Sequence, residues 1–319
     1  MITTMSKKEL KLKFNLFLKY LVSKIEKRRG NFITVHERPI RASSLRLLPK
    51  ESDKILPPTA VVIQGPILKT NDFTLESVKL YKRHFDQSFI ILSTWNDENP
   101  DYLEKIKKAG GIVVVSPKPE NPGLRNANMQ IITTAAGMKK AKELGALYAL
   151  KTRTDQRIYG RHVMEFLLNL LEIFPLEKSS KQKKRIIGVS WNTKLEIIYN
   201  FSDIFQFGTI EDMCAYWAHD PIAERQGDKT TFINGAHMTT EAQLFTRFLK
   251  RVGVEFTASR EEWQKTVATQ TVVIDAFPLD LYFYKYDRFR EYKDLSYEYR
   301  VRDVTFVEWV NLHVKYKNS

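Results

Sequence analysis

A chain of 319 residues that is 43% hydrophobic and 12% aromatic carries enough apolar mass for one large core or two modest ones, which excludes a disordered polymer. Its one cysteine, Cys214, excludes an intrachain disulfide and points to a reducing, cytoplasmic setting. A net charge of +14 takes its meaning from where it lies along the chain.

In residues 1–30, nine Lys and Arg set against two Glu leave +7, half of the total. Leu10, Phe14, Phe17, Leu21 and Ile25 recur there at helical spacing. The pattern predicts a basic amphipathic helix lying on an anionic membrane surface, and would equally serve a helix docked on the protein's own core or on a second copy. Lys11, Lys13 and Lys19 interrupt the apolar residues, so no cleavable signal is expected, and no run approaches the roughly 18 apolar residues of a spanning helix. Residues 31–58, with Pro39, Pro49, Pro57 and Pro58, read as a connector, and the folded body is expected from residue 59.

A β-branched run at 59–65 (TAVVIQG) opens an alternation of strands and helices. A helix over 74–85 follows, with Leu75, Val78 and Tyr81 on one face, then a strand at 88–95. A helix over 101–110 ends at Gly110 and Gly111 and leads to a strand at 112–116. A helix over 126–145 aligns Ile131, Ala135, Met138 and Ala141, and a strand at 146–152 runs into Lys151, Arg153 and Asp155. Such an alternation predicts an α/β fold, a mostly parallel sheet flanked by helices. Ligands of such sheets bind beyond the carboxyl ends of the strands. Here those ends carry Gln64, Gly65 and Pro66, then Asn96 and Asp97, then a loop holding Arg125, Asn128 and Gln130, and last Arg153 and Asp155. Charges at the end of a central strand are costly to bury without a partner or a ligand; Arg153 and Asp155 paired only with each other would be the plain structural solution. The chain has no G-x-x-x-x-G-K-[ST] loop, no G-x-G-x-x-G turn and no His/Cys zinc spacing, so kinase, Rossmann dehydrogenase and zinc chemistry are not supported.

The stretch ENPGLRNANMQ through LKTRTD resembles the part of GT-A glycosyltransferases that leads to their D-x-D motif. VVIQGPI, IILSTW, NANMQ and LKTRTD, in that order over residues 59–159, are similar to the WavE-type lipopolysaccharide synthesis family, with SDIFQFGTIEDM and TTEAQLF as further matches. The resemblance implies a GT-A-like (Rossmann-like) catalytic domain over 59–319, with a nucleotide-sugar-binding half at 59–160 and an acceptor-binding half at 161–319. It implies a glycosyltransferase that moves a sugar from a nucleotide-activated donor to a growing bacterial lipopolysaccharide or capsule, with a glycan or lipid-linked glycan as acceptor, peripheral on the inner face of the cell membrane. Gln64, Gly65, Pro66, Asn96 and Asp97 would then contact the nucleoside, and Arg125, Asn128 and Gln130 the donor sugar and phosphates. Where D-x-D has its leading acid this chain has Arg153, leaving Asp155. Either Asp155 holds Mg²⁺ or Mn²⁺ on the diphosphate, or the Arg153 guanidinium replaces the metal.

Glu241 opens a helix after Thr239 and Thr240, one of which would cap it, and is expected as the general base. A first-turn Glu complementing the helix dipole is the alternative. Asp203, Glu211 and Asp212 are competing carboxylates, and His237 reads as structural or acceptor-contacting. The last fifty residues interleave aromatic and basic side chains, as expected of a layer packed on the sheet or of a stacking surface. That mixture also fits a nucleic-acid-binding basic protein, against which stand the detachable half of the charge and the lack of a nucleic-acid module; no nucleic-acid partner is expected. A catalytically inactive sugar-nucleotide-binding protein is the third reading.

Overall fold

The computed structural model describes residues 6–30, 32–33, 36–45, 55–177, 181–222, 232–233, 236–287 and 303–317. They fall into two units, 1–39 and 40–319. The first is built on α1 (Lys7–Arg29). Its amino end is closed by a reciprocal cap, Ser6 Oγ accepting from Glu9 N at 3.3 Å and Glu9 Oε2 accepting from Ser6 N at 2.9 Å. Its carboxyl end stops at Gly30, whose φ of +70° few residues other than glycine adopt readily. Leu10, Phe14, Phe17, Leu21 and Ile25 are exposed, as are Leu12, Leu16 and Tyr20 on the remaining circumference. No described helix is long and apolar enough to cross a membrane.

In the second unit the elements run β1 (Thr59–Gln64), α2 (Phe73–His84), β2 (Ser88–Trp95), α3 (Pro100–Lys108), β3 (Ile112–Ser116), α4 (Ala127–Glu143), β4 (Tyr148–Arg153), β5 (Gln156–Ile158) and α5 (Val163–Ile173). Then follow β6 (Ile186–Val189), β7 (Gln206–Thr209), α6 (Ile210–Trp217), β8 (Phe232–Ile233), β9 (Ala236–His237), α7 (Thr240–Val252), α8 (Arg260–Gln270), β10 (Thr271–Ile274), β11 (Leu281–Phe283), α9 (Tyr284–Asp287) and α10 (Phe306–Tyr316). A seven-stranded sheet has the order β10-β6-β7-β4-β1-β2-β3, and β7 alone runs against its neighbours β4 and β6. The mostly parallel sheet expected from the alternation is therefore present. β1 is buried along its whole length, as an unalternating β-branched run in the middle of a parallel sheet must be. Residues 40–45, inside the stretch read as a connector, are tied to α2: Ala42 N donates to Glu76 Oε2 at 2.8 Å, and Arg41 pairs with Asp72 at 3.1 Å.

Two features of the sheet shape its ligand edge. α4 lies so close over β1 that a Cβ on Gly137 would stand 2.4 Å from Val62 Cγ1, so nothing larger than glycine fits there. Val62 and Gln64 thus face α4, and because Val62 pairs with Lys151 and Gln64 with Arg153, the charged end of β4 faces the same way. The reversal of β7 brings its leading residues, beside Lys151, to the carboxyl edge of β4 and β1, and sends Thr209 to the opposite edge, beside Tyr148.

At the far end of the chain Trp309 is fully buried, its Nε1 donating to Val267 O at 3.1 Å, with Phe174 packed edge-on at 4.9 Å and His313 stacked at 5.3 Å. This described part of the aromatic-basic stretch is a packed layer; residues 288–302 lie outside the described residues.

Candidate functional site

Lys151 is fully buried near the end of β4, its Nζ donating to the Asp203 carbonyl and lying 4.8 Å from the centroid of the Trp217 ring. Burial lowers its pKa to about 7, with Asp203 pulling the other way. Two residues on, Arg153 grips Asp155 with both arms, Nε to Oδ1 at 2.9 Å and Nη2 to Oδ2 at 3.1 Å, and both side chains remain about a quarter exposed, at 29% and 23%. The guanidinium lies 5.2 Å from the Phe283 ring centroid, and Asp155 O accepts from Tyr284 N at 2.9 Å, so β11 and α9 back the pair.

The carboxylates come from the second half of the chain. Thr239 caps α7, its Oγ1 accepting from Ala242 N at 3.1 Å, which fixes Glu241 in the first turn. Asn192, held at a φ of +66°, donates Nδ2 to Glu241 Oε1 at 2.5 Å. Gln130 Nε2 donates to Asp203 Oδ2. Burial and then the Asp203 charge raise the Glu241 pKa above the ordinary carboxyl value; its own backbone amide, Asn192 and Arg125 oppose them less strongly. The helix-dipole role alone would have lowered it. Tyr216 is wholly buried on α6 beside the Gln206 side chain, and its ionisation is opposed by burial first and then by the charges of Asp203 and Glu241, with Gln206 acting the other way.

Two aromatic-lined cations, a guanidinium–carboxylate pair and a carboxylate pair therefore share one sheet edge. The sequence model of WavE lipopolysaccharide synthesis matches residues 59–318. The chain belongs to the WavE lipopolysaccharide synthesis family. No curated protein sequence matches it. Among solved structures, a cytidylyltransferase from Leptospira borgpetersenii serovar Hardjo-bovis is similar at 11% identity and a TM-score of 0.33, over 51% of this chain and 65% of that one. The chain thus spans about two thirds of that enzyme's length. A putative glucose-1-phosphate thymidylyltransferase from Bacillus anthracis is similar at 7% identity and 0.35, over 82% and 96%. At these TM-scores neither resemblance carries an argument about the reaction.

In this WavE protein the residues expected at the strand ends divide into two groups. Pro66, Asn96, Asp97 and Arg125 are exposed, with Asp97 paired to Lys118 at 2.5 Å and Arg125 in the left-handed region at a φ of +51°. Gln64 and Asn128 are buried, the first bonded inside the protein through its amide oxygen and the second through its whole amide. Gln64 Oε1 accepts from Thr133 Oγ1 at 3.1 Å. Asn128, expected to touch the donor, is instead a bolt: Nδ2 donates to Asn121 O at 3.0 Å and Ile222 O at 2.8 Å, and Oδ1 accepts from Ile222 N at 2.6 Å. Gly65, at a φ of +118°, is buried against Thr154, whose Oγ1 would stand 3.0 Å from a Cβ there. Of the competing carboxylates, Asp203 joins Glu241 through the reversed β7. Asp212 sits beyond Thr209 at the opposite edge, where it accepts from Lys183 N at 2.9 Å, Lys184 N at 2.9 Å and Thr209 Oγ1 at 2.7 Å; Glu211 is exposed on the same helix. The backbone of His237 pairs with Phe232, and its side chain lies outside the described residues.

The residues present do not fit Mg²⁺ or Mn²⁺ as they stand. Both oxygens of Asp155 are taken by Arg153, and among the described residues no three His, Cys, Asp or Glu side chains are placed to hold a metal ion. Sequence reasoning named Lys151 in the charged strand end without giving it a role of its own, and did not name Asn192 or Tyr216. Lys151 carried a visible signal, a lysine inside an apolar strand. Asn192 and Tyr216 carried none, since the first sits in an unpatterned loop and the second reads as a core residue of its helix.

Proposed function

We propose that this WavE-family protein is a glycosyltransferase that moves a sugar from a nucleotide-activated donor to a glycan or lipid-linked glycan of lipopolysaccharide or capsule. The observation that supports it most is Glu241: a half-buried carboxylate of raised pKa, oriented by Asn192 and standing at the same sheet edge as Lys151, Arg153 and Arg125. A general base needs such a pKa, closer to neutrality than a solvated carboxylate's, and a fixed free oxygen. The acceptor hydroxyl attacks the anomeric carbon and passes its proton to Glu241. The bond from that carbon to the diphosphate breaks, its electron pair leaving on a phosphate oxygen whose charge Arg153 and Arg125 meet. The bidentate Arg153–Asp155 pair favours a second reading, a nucleotide-sugar-binding protein without turnover, because a pair closed on itself offers neither charge to a ligand. Thermal-shift screening against nucleotide sugars, followed by release of nucleoside diphosphate from the one that binds, decides between them. Binding with release supports transfer, binding without release supports the second reading, and a chain shifted by no nucleotide sugar would sink both.

The same proposal places the protein on the inner face of the cell membrane, through α1. Its exposed apolar side chains and its Lys and Arg suit a bilayer that is anionic at the surface and apolar beneath, each basic residue near such a surface adding about 1 kcal/mol. Replacing Phe14, Phe17 and Leu21 by Ser should weaken co-sedimentation with vesicles containing phosphatidylglycerol at least tenfold. Neutral phosphatidylcholine vesicles should bind the parent weakly, and binding indifferent to both changes would remove α1 from the membrane.

A further inference from the structure

Asn192 stands in a turn, yet both of its backbone polar groups are held by side chains from other parts of the chain. Its N–H donates to Asp303 Oδ1 at 3.1 Å, and its carbonyl accepts from Asn200 Nδ2 at 2.6 Å. With both peptides pinned, the residue is kept at its φ of +66°, a conformation that asparagine tolerates better than most residues. Its side chain is thereby directed at Glu241, donating Nδ2 to Oε1 at 2.5 Å.

The two holders are themselves held. Asp303 Oδ1 also takes the Lys194 ammonium at 2.7 Å, and Val304 N donates to Thr193 O at 2.8 Å. Lys194 N donates to Asn200 O at 3.0 Å, and Lys194 bridges to both Asn200 and Asp303, so residues 192–194 lie between the segments at 200 and at 303–304. Asn200 is buried, and its Oδ1 accepts from the hydroxyl of Thr239, the residue that caps α7 two places before Glu241. Glu241 is thus tied to the 192–200 segment twice, by its own side chain and by the start of its helix.

We propose that Asp303 is a positioning residue for the transfer: by holding the Asn192 amide it keeps the Asn192 side chain on Glu241, and so aims the base without touching substrate. This rests on the transferase reading, in which Glu241 takes the acceptor proton. Asp303 itself exchanges no proton with the acceptor. As an ion pair it contributes little to stability, since the Lys194 and Asp303 side chains remain 19% and 26% exposed. Its contribution is direction. An Asn192 free to turn leaves Glu241 Oε1 without its donor and the carboxylate without a fixed aim, and a misplacement of about 1 Å at a reacting group can cost roughly 100-fold in rate.

The test uses the full chain and that member of a panel of UDP-, ADP- and GDP-sugars which raises its melting temperature, with release of nucleoside diphosphate as the readout. Asp303→Ala should lower kcat at least about tenfold and leave KM for the nucleotide sugar within about twofold. Asp303→Asn, whose amide oxygen still accepts from Asn192 N, should stay within about threefold of the parent. Asn192→Gly keeps the positive φ without strain; it should match Asp303→Ala, and it serves if that variant does not fold. In the Glu241→Gln background Asp303→Ala should cost less than about twofold more, because residues that act through one group do not add. A merely structural Asp303 would lower the rate by the same factor in both backgrounds, and that result overturns the proposal. So does parent-like kcat in Asp303→Ala or Asn192→Gly, or an Asp303→Asn chain as slow as Asp303→Ala. Failure of the transferase reading looks different: no sugar of the panel shifts the chain, the one that binds is not turned over, or Glu241→Gln turns over like the parent. The positioning role then falls with it.

Discussion

Glu241→Gln is expected to lower turnover about 100- to 10,000-fold, the usual worth of a positioned general base, while leaving the thermal shift given by the nucleotide sugar in place. Gln keeps the length and can still accept from Asn192 Nδ2, so the loss belongs to the proton and not to the shape. In the parent the activity should rise with pH through a limb above the ordinary carboxyl value, since burial and Asp203 raise the Glu241 pKa. Stability should move the other way. The folded chain holds a proton that the unfolded chain has already released, so stability falls as pH rises from the unfolded pKa through the folded one. Glu241→Gln cannot ionise and should be at least as stable as the parent at neutral pH, with the difference vanishing in acid. Parent-like turnover in Glu241→Gln would pass the base role to Asp203; a large loss of stability at neutral pH would make Glu241 a structural residue.

Arg153→Ala should cost about 2–4 kcal/mol of transition-state stabilisation, roughly 30- to 1000-fold in rate, if its guanidinium meets the diphosphate charge. The bidentate pair makes the response of its partner informative. Asp155→Asn keeps the shape and releases the guanidinium, so in a guanidinium-based mechanism it should bind the nucleotide sugar at least as tightly as the parent, and EDTA should leave the activity untouched. In a metal-based mechanism Asp155→Asn loses activity as severely as Arg153→Ala, and EDTA abolishes parent turnover until Mg²⁺ or Mn²⁺ is returned. Both variants turning over like the parent would leave the pair as a salt bridge closing a strand end.

Much of the amino-terminal half of the body was legible because its signals are local. β1 through β4 and the helices between them follow from β-branched runs, helical spacing and glycine stops, and each lies within two residues of where the sequence placed it. The cap of Glu241's helix was legible for the same reason, a threonine just before an apolar periodicity. A polar residue at a strand end or a helix start, such as Gln64 or Asn128, looks the same in sequence whether it points at a ligand or at a neighbouring element. Only the packing of α4 on β1 shows that Gln64 Oε1 meets Thr133, and only the position of Ile222 shows that the Asn128 amide is already spent.

The sequence by itself determined the layered α/β class, the WavE likeness, the polarised charge and the edge of the sheet at which to look, because these depend on spacing along the chain and on a general rule for parallel sheets. The tertiary structure alone decided which carboxylate accompanies Glu241. Asp203 and Asp212 are nine residues apart and alike in composition, but β7 runs against the rest of the sheet, and that one reversal carries Asp203 to the ligand edge beside Lys151 and Asp212 to the opposite one. Strand direction is set by how the surrounding layers bury the chain, a long-range outcome that no window of sequence contains.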